Sequence, residues 1–167
     1  ATLSHMRIAM LVLTAFVASG CGSARVTRLL GGEEGYDVIA EAKGAQAYRI
    51  DGMGTGDKSK GILGFPVLSG PVSVVSAAAG KLAAVFTAYD TYLWDIANAC
   101  EFMPGVAVRY DSGGRQVDVL LCFSCDELEV YVNGEQVGHE DFDPKRAELV
   151  GVAKSLFPDD PAIQKLR

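Results

Sequence analysis

The sequence predicts a single α+β domain: an antiparallel β-meander over about residues 106–141, packed with two main helices at about 77–98 and 144–157. Three observations carry this. Apolar alternating runs, Val106 to Tyr110 and Val117 to Phe123, flank Ser112-Gly113-Gly114-Arg115, a hairpin signal. Asn133-Gly134 separates two further runs and favours a type I′ turn. Leu82, Val85, Phe86 and Tyr89 recur at helical spacing, and Leu149, Val152, Ala153 and Leu156 do so again. A chain of 167 residues can bury a sizeable core in one domain.

Residues 1–6, Ala-Thr-Leu-Ser-His-Met, read as an expression-vector remnant, with Met6 as the natural start. Arg7 and the apolar run Ile8 to Val17 follow, too short to span a bilayer at the roughly 20 residues a helix needs. Ala18-Ser19-Gly20-Cys21 closes the run with small residues before a cysteine. This stretch resembles the lipobox of bacterial lipoproteins, with Ala18 where leucine is commonest. The resemblance implies a signal peptide over 7–21 and acylation of Cys21. With Gly22 rather than aspartate next, it also implies anchoring at the outer membrane, facing the periplasm. Residues 22–35 lack periodicity and read as a tether, which leaves 36–167 as the globular domain.

Val38-Ile39-Ala40 and Ala47 to Ile50 are expected strands, broken at Lys43-Gly44. Asp51 to Gly61 is glycine-rich and invites a phosphate-loop reading. Asp57 stands where that motif needs glycine, and Gly52, Gly54 and Gly56 miss the dinucleotide fingerprint. A flexible surface connection is expected instead, and no nucleotide partner. Ile62 to Val75, punctuated by Pro66, Gly70 and Pro71, holds one short strand and a turn. Ser76 caps the first main helix, whose stripe continues through Leu93, Ile96 and Ala97.

Centring the first hairpin on Gly113-Gly114 places Tyr110 opposite Val117, Val108 opposite Val119 and Val106 opposite Leu121. The other face then pairs Arg109 with Asp118 and Ala107 with Leu120. Continued through Ser124 to Glu127, the ladder sets Leu128 near Cys122. Past the second turn it sets Val130 opposite Val137 and Leu128 opposite His139. Cys100, Cys122, Cys125 and His139 then gather at one end of the meander. Asp143 caps the second main helix with Pro144 at its first position, and Asp160-Pro161 starts a last short turn.

With Cys21 lipidated, three cysteines remain in an oxidising compartment. Three readings compete. A structural disulfide pairs Cys100 with Cys125 by the register, with Cys100–Cys122 close behind. A metal site takes Cys100, Cys122, Cys125 and His139 around zinc, or Met103 in place of His139 around copper. Thiol redox catalysis fits least, because acidic Asp126 and Glu127 neighbour the motif and disfavour a thiolate. No nucleophile elbow or carboxylate pair is visible, so the reading leans away from an enzyme. A net charge of −6 argues against nucleic acid.

The segments Ala99 to Gly105 and Val119 to Cys125 resemble exported bacterial proteins with a Cys-Phe-x-Pro-type and Cys-Phe-x-Cys-type pair. That resemblance implies that the cysteines belong together and brings no activity. The functional expectation is a lipid-anchored periplasmic binding or interaction module, partner unspecified, with its sheet end stabilised by a cysteine pair. The alternative is a small metal-binding or thiol redox protein.

Overall fold

A computed structural model describes residues 19–96 and 99–167. The stretch through residue 18, which carries most of the signal-peptide reading, lies outside the described residues. Six strands form one antiparallel sheet in the order β2-β1-β3-β4-β5-β6. They are β1 Gly44–Ile50, β2 Val67–Val75, β3 Val106–Ser112, β4 Arg115–Cys122, β5 Glu127–Val132 and β6 Glu135–Asp141. The helices are α1 Ser19–Leu29, α2 Glu33–Ala40, α3 Ser76–Thr87, α4 Arg146–Leu156 and the short α5 Pro161–Gln164. The fold is α+β, as expected.

The helices cover one face of the sheet. Val106, Val108, Val117, Val119, Leu121, Leu128 and Val130 share a core there with Val26, Ile39, Leu82, Phe86 and Leu149. A smaller core lies on the opposite face, where Ile50, Ala107 and Leu120 sit beneath Ile62, Phe65 and Phe102. Both faces of β4 are therefore buried along most of its length.

The first hairpin has the expected register throughout, Val106↔Leu121 to Tyr110↔Val117. Gly113 and Gly114 have φ of 59° and 80°, the left-handed pair that a type I′ turn requires. Asn133 and Gly134, at 50° and 87°, form the second such turn.

Beyond it the register departs from expectation. A bulge next to Val130/Tyr131 pairs Val130 with Gly138 and Glu129 with His139. His139 therefore shares a face with Glu129, not with Leu128. The reason is steric. α1 passes so close to β6 that a Cβ on Gly138 would collide with the carbonyl oxygen of Leu29. The bulge presents glycine at that crossing. The β4–β5 link is likewise one residue off, with Leu121 facing Leu128 and Cys122 facing Glu127.

Four expectations about the helical segments need correction. Residues 22–35 are not a tether. Val26, Leu29 and Leu30 are buried at helical spacing, and so are Gly35, Val38 and Ile39. Gly31, at φ 87°, ends α1 in a Schellman motif: the Gly32 N–H donates to Thr27 O (2.8 Å) and the Gly31 N–H to Arg28 O (3.1 Å). The expected strand at Val38 is therefore part of α2, whose first turn carries Glu33 and Glu34 at its positive end.

The helix expected to reach about residue 98 stops at Thr87. Ala88 is extended, the Thr91 hydroxyl donates to Val85 O, and the Tyr92 hydroxyl donates to Phe86 O (2.7 Å). Side chains thus occupy the carbonyls that another turn would have used. The Leu93 N–H then joins Asp141 O on β6 (3.0 Å), which carries the chain away. The second main helix keeps its place, but Asp143 does not cap it: the Asp143 N–H is held by Asp141 Oδ1 (2.8 Å). A 3₁₀ turn over Asp143–Lys145 precedes α4.

The glycine-rich loop is folded. The Asp51 carboxylate accepts from the N–H of Met53 and Thr55 and from the Thr55 hydroxyl. It therefore occupies amides that a phosphate would need. The Thr55 hydroxyl and these amides hold the Asp51 carboxyl below its ordinary value.

Gly138→Ala is expected to cost about 2 kcal/mol, the scale of overpacking a close contact. Gly80→Ala, in α3 with open space around it and an ordinary helical backbone, is the control for glycine loss. Urea unfolding of both variants checks this.

Candidate functional site

The site is built at the end of the sheet where β4 gives way to β5. Phe123 to Asp126 form the connecting turn, and Asp126 takes a left-handed conformation at φ 59°. Arg146, at the start of α4, holds the turn from below. Its guanidinium donates to Phe123 O (2.8 Å) and pairs with the Asp126 carboxylate. The Phe142 N–H donates to Asp126 O (2.6 Å).

Across this end runs a strap, residues 99–104. Cys100 at its start and Cys125 on the turn lie at disulfide distance with Cα atoms 5.9 Å apart, the pairing that the register favoured. Cys125 Sγ is 3.2 Å from the Glu101 carbonyl oxygen. Further along, the Met103 N–H donates to Cys122 Sγ (3.4 Å), and the strap rejoins the sheet where the Gly105 N–H meets Leu121 O (2.9 Å). Cys122 is a free thiol, wholly buried, with the Ser124 hydroxyl 3.2 Å away. Gly52 passes under the strap so closely that a Cβ there would lie 2.5 Å from the Met103 carbonyl carbon.

The four residues expected to converge are divided among different tasks. Cys100 and Cys125 face each other. Cys122 sits under Met103. His139 is turned by the bulge onto the same face, where its Nε2 is 3.3 Å from Glu127 Oε2 and its ring meets Phe102 edge-on at 5.9 Å. The expected four-ligand metal arrangement is not the one formed. Two of its sulfurs point at one another, and His139 pairs with a carboxylate. Among the described residues no group of three or more His, Cys, Asp and Glu side chains is placed to hold a metal ion.

The same face carries a polar row. Asp118, fully buried, receives Arg109 Nε (2.7 Å), the Arg109 terminal nitrogen (3.1 Å) and Gln116 Nε2 (2.8 Å). The bond to Asp118 raises the Arg109 guanidinium further. The Tyr131 hydroxyl donates to Glu129 (2.7 Å), and burial followed by that carboxylate pushes its phenol up. These groups satisfy one another, which is how buried charge is tolerated.

Two features escaped the sequence reading. One is the Arg146 clamp on the turn, which nothing in the spacing marks. The other is a contact between Arg25 of α1 and Trp94–Asp95, hidden once residues 22–35 were taken as a tether.

No family model, curated protein or solved structure matches this chain.

Replacing Cys100 and Cys125 together by alanine, in protein made under oxidising conditions, is expected to lower stability by about 3 kcal/mol on the chain-entropy scale. Denaturant unfolding measures it. In the parent protein a maleimide should label Cys122 only after unfolding, because that sulfur is buried.

Proposed function

We propose that the chain is an exported, lipid-anchored periplasmic protein that acts as a binding or interaction module, its sheet end locked by a Cys100–Cys125 disulfide. The observation that carries this is the cysteine pair. It closes the strap over the sheet end, and such bonds persist in oxidising compartments. The lipobox-like run ending at Cys21 independently points to export. An outer-membrane position facing the periplasm follows from Gly22 by the same resemblance.

Binding is preferred to catalysis because the polar groups of the open face are committed to one another. Asp118 is saturated by Arg109 and Gln116, Tyr131 by Glu129, and Glu127 lies against His139. The covered thiol Cys122 gives a thiol exchange reading no open approach. The metal reading finds no assembled ligand set among the described residues.

Cys21→Ala, expressed in a bacterial host, is expected to abolish incorporation of labelled palmitate and to release the protein from the membrane fraction. Trapping of free thiols in intact cells should leave Cys100 and Cys125 unlabelled. Unchanged membrane fractionation of Cys21→Ala would sink the anchor, and free Cys100 and Cys125 would sink the oxidised compartment.

A further inference from the structure

Beside the start of α1 the surface carries an aromatic and aliphatic patch that the cysteine end does not explain. It belongs to the segment after α3. Tyr89 is 45% and Ile96 51% exposed, and Trp94 lies partly exposed between them. The rings are fixed in place. Tyr89 stacks on Trp94 at 5.1 Å, Tyr92 supports Trp94 from the core at 5.0 Å, and the indole N–H donates to Tyr89 O (3.0 Å). Arg25 lies over the Trp94 ring at 4.4 Å. The exposed Tyr89 ring and the partly exposed Trp94 ring, held in fixed geometry over the buried Tyr92, leave an apolar surface that fits a partner.

Its position says which. Gly22 of α1 stands against Tyr89, where a Cβ would lie 3.1 Å from the ring. The residue after Cys21 therefore touches the aromatic stack. α1 is packed onto the domain and gives no slack between them. A lipid on Cys21 would hold this patch at the bilayer surface whatever the rest of the molecule does.

The charges agree with that placement. The carboxylates of the segment are both matched: Asp95 by Arg25 (2.8 and 3.0 Å) and Asp90 by Lys145 (3.2 Å). Arg28, one turn on from Arg25, is exposed and makes no ion pair among the described residues. Glu140, in the cleft between α1 and β6, has its carboxyl raised chiefly by burial. Tyrosine and tryptophan favour the headgroup level of membranes, and guanidinium groups favour phosphate.

We propose that Tyr89, Trp94 and Ile96, flanked by Arg25 and Arg28, form a foot that inserts at the phospholipid headgroup boundary beside the anchored Cys21. The proposal rests on the lipid-anchored reading above and adds an orientation to it. The open face of the sheet and the strap then have a fixed direction relative to the membrane. The contact orients a domain that the lipid on Cys21 holds at the membrane.

Trp94 is the single tryptophan of the sequence, so its emission reports the foot alone. The full acylated chain is reconstituted into phosphatidylethanolamine–phosphatidylglycerol vesicles, with plain or brominated acyl chains. Flotation and intact mass report the anchor in the same samples. The expected result is a blue-shifted Trp94 emission that brominated lipid quenches. Tyr89→Ser with Ile96→Ser should weaken the quenching while the protein still floats. Equal emission in plain and brominated vesicles, from protein that floats and carries the acyl mass, overturns the foot and leaves the anchor standing. A chain without acyl mass at Cys21 overturns both.

Discussion

The fold depends on the register of the β3–β4 hairpin. Two consecutive left-handed glycines, Gly113 and Gly114, admit only one tight closure there. Because side chains alternate strictly, that closure decides the face of every residue in the two strands. Val106, Val108, Tyr110, Val117, Val119 and Leu121 go to the helices together. Arg109 and Asp118 go to the other face together, and their bidentate contact exists only in this register. A slip of one residue would drive Asp118 into the apolar core and lift the valines out. Burying an unpaired carboxylate costs several kcal/mol, comparable to the whole net stability of a domain of this size. The hairpin thus excludes its own alternatives.

The opposite edge is governed by a backbone approach instead. α1 lies over β6 at Gly138, while Gly31, in the cap that ends α1, meets Val132 of β5 at 2.6 Å from an added Cβ. A helix can come this close to an edge strand only where the strand shows no side chain. The bulge in β6 places glycine at the crossing and moves His139 to the open face. One steric demand therefore sets both how the N-terminal helices seat and which residues neighbour the strap.

This division explains what was legible in the sequence. The hairpin is local, with turn residues and alternation adjacent, so its register and the Arg109–Asp118 pair could be read directly. The preference for Cys100 with Cys125 followed because the strap returns along the same ladder. The bulge could not be read, because its cause is the distant Leu29 carbonyl. α1 and α2 were legible in principle, since Val26, Leu29, Leu30 and then Gly35, Val38, Ile39 have helical spacing. The two glycines at 31 and 32 and the charged residues around them masked that spacing as a linker. The end of α3 was ambiguous for a different reason. Its apolar stripe runs on past Thr87, and only the hydroxyls of Thr91 and Tyr92, folding back on Val85 and Phe86, decide against another turn.

The end of β6 joins these parts. Asp141 accepts the Leu93 N–H on its backbone, holds the Asp143 N–H with its carboxylate, and faces Glu127 in the ladder beside Cys122. The aromatic segment, the start of α4 and the cysteine end therefore share one residue as a common support. Lys145 adds a second tie, from the turn before α4 to Asp90. The strap itself covers only the smaller core of Ile50, Ala107 and Leu120, which is separate from the core beneath the helices. A bond worth about 3 kcal/mol is small beside the apolar burial on the helical face, at roughly 25 cal/mol per Å². Opening the Cys100–Cys125 pair would then loosen the strap and expose Cys122 while the sheet, α1 and the aromatic segment kept their places. The chain is thus built as a rigid body with one locally lockable cover, and the rigid part is the one that carries Cys21.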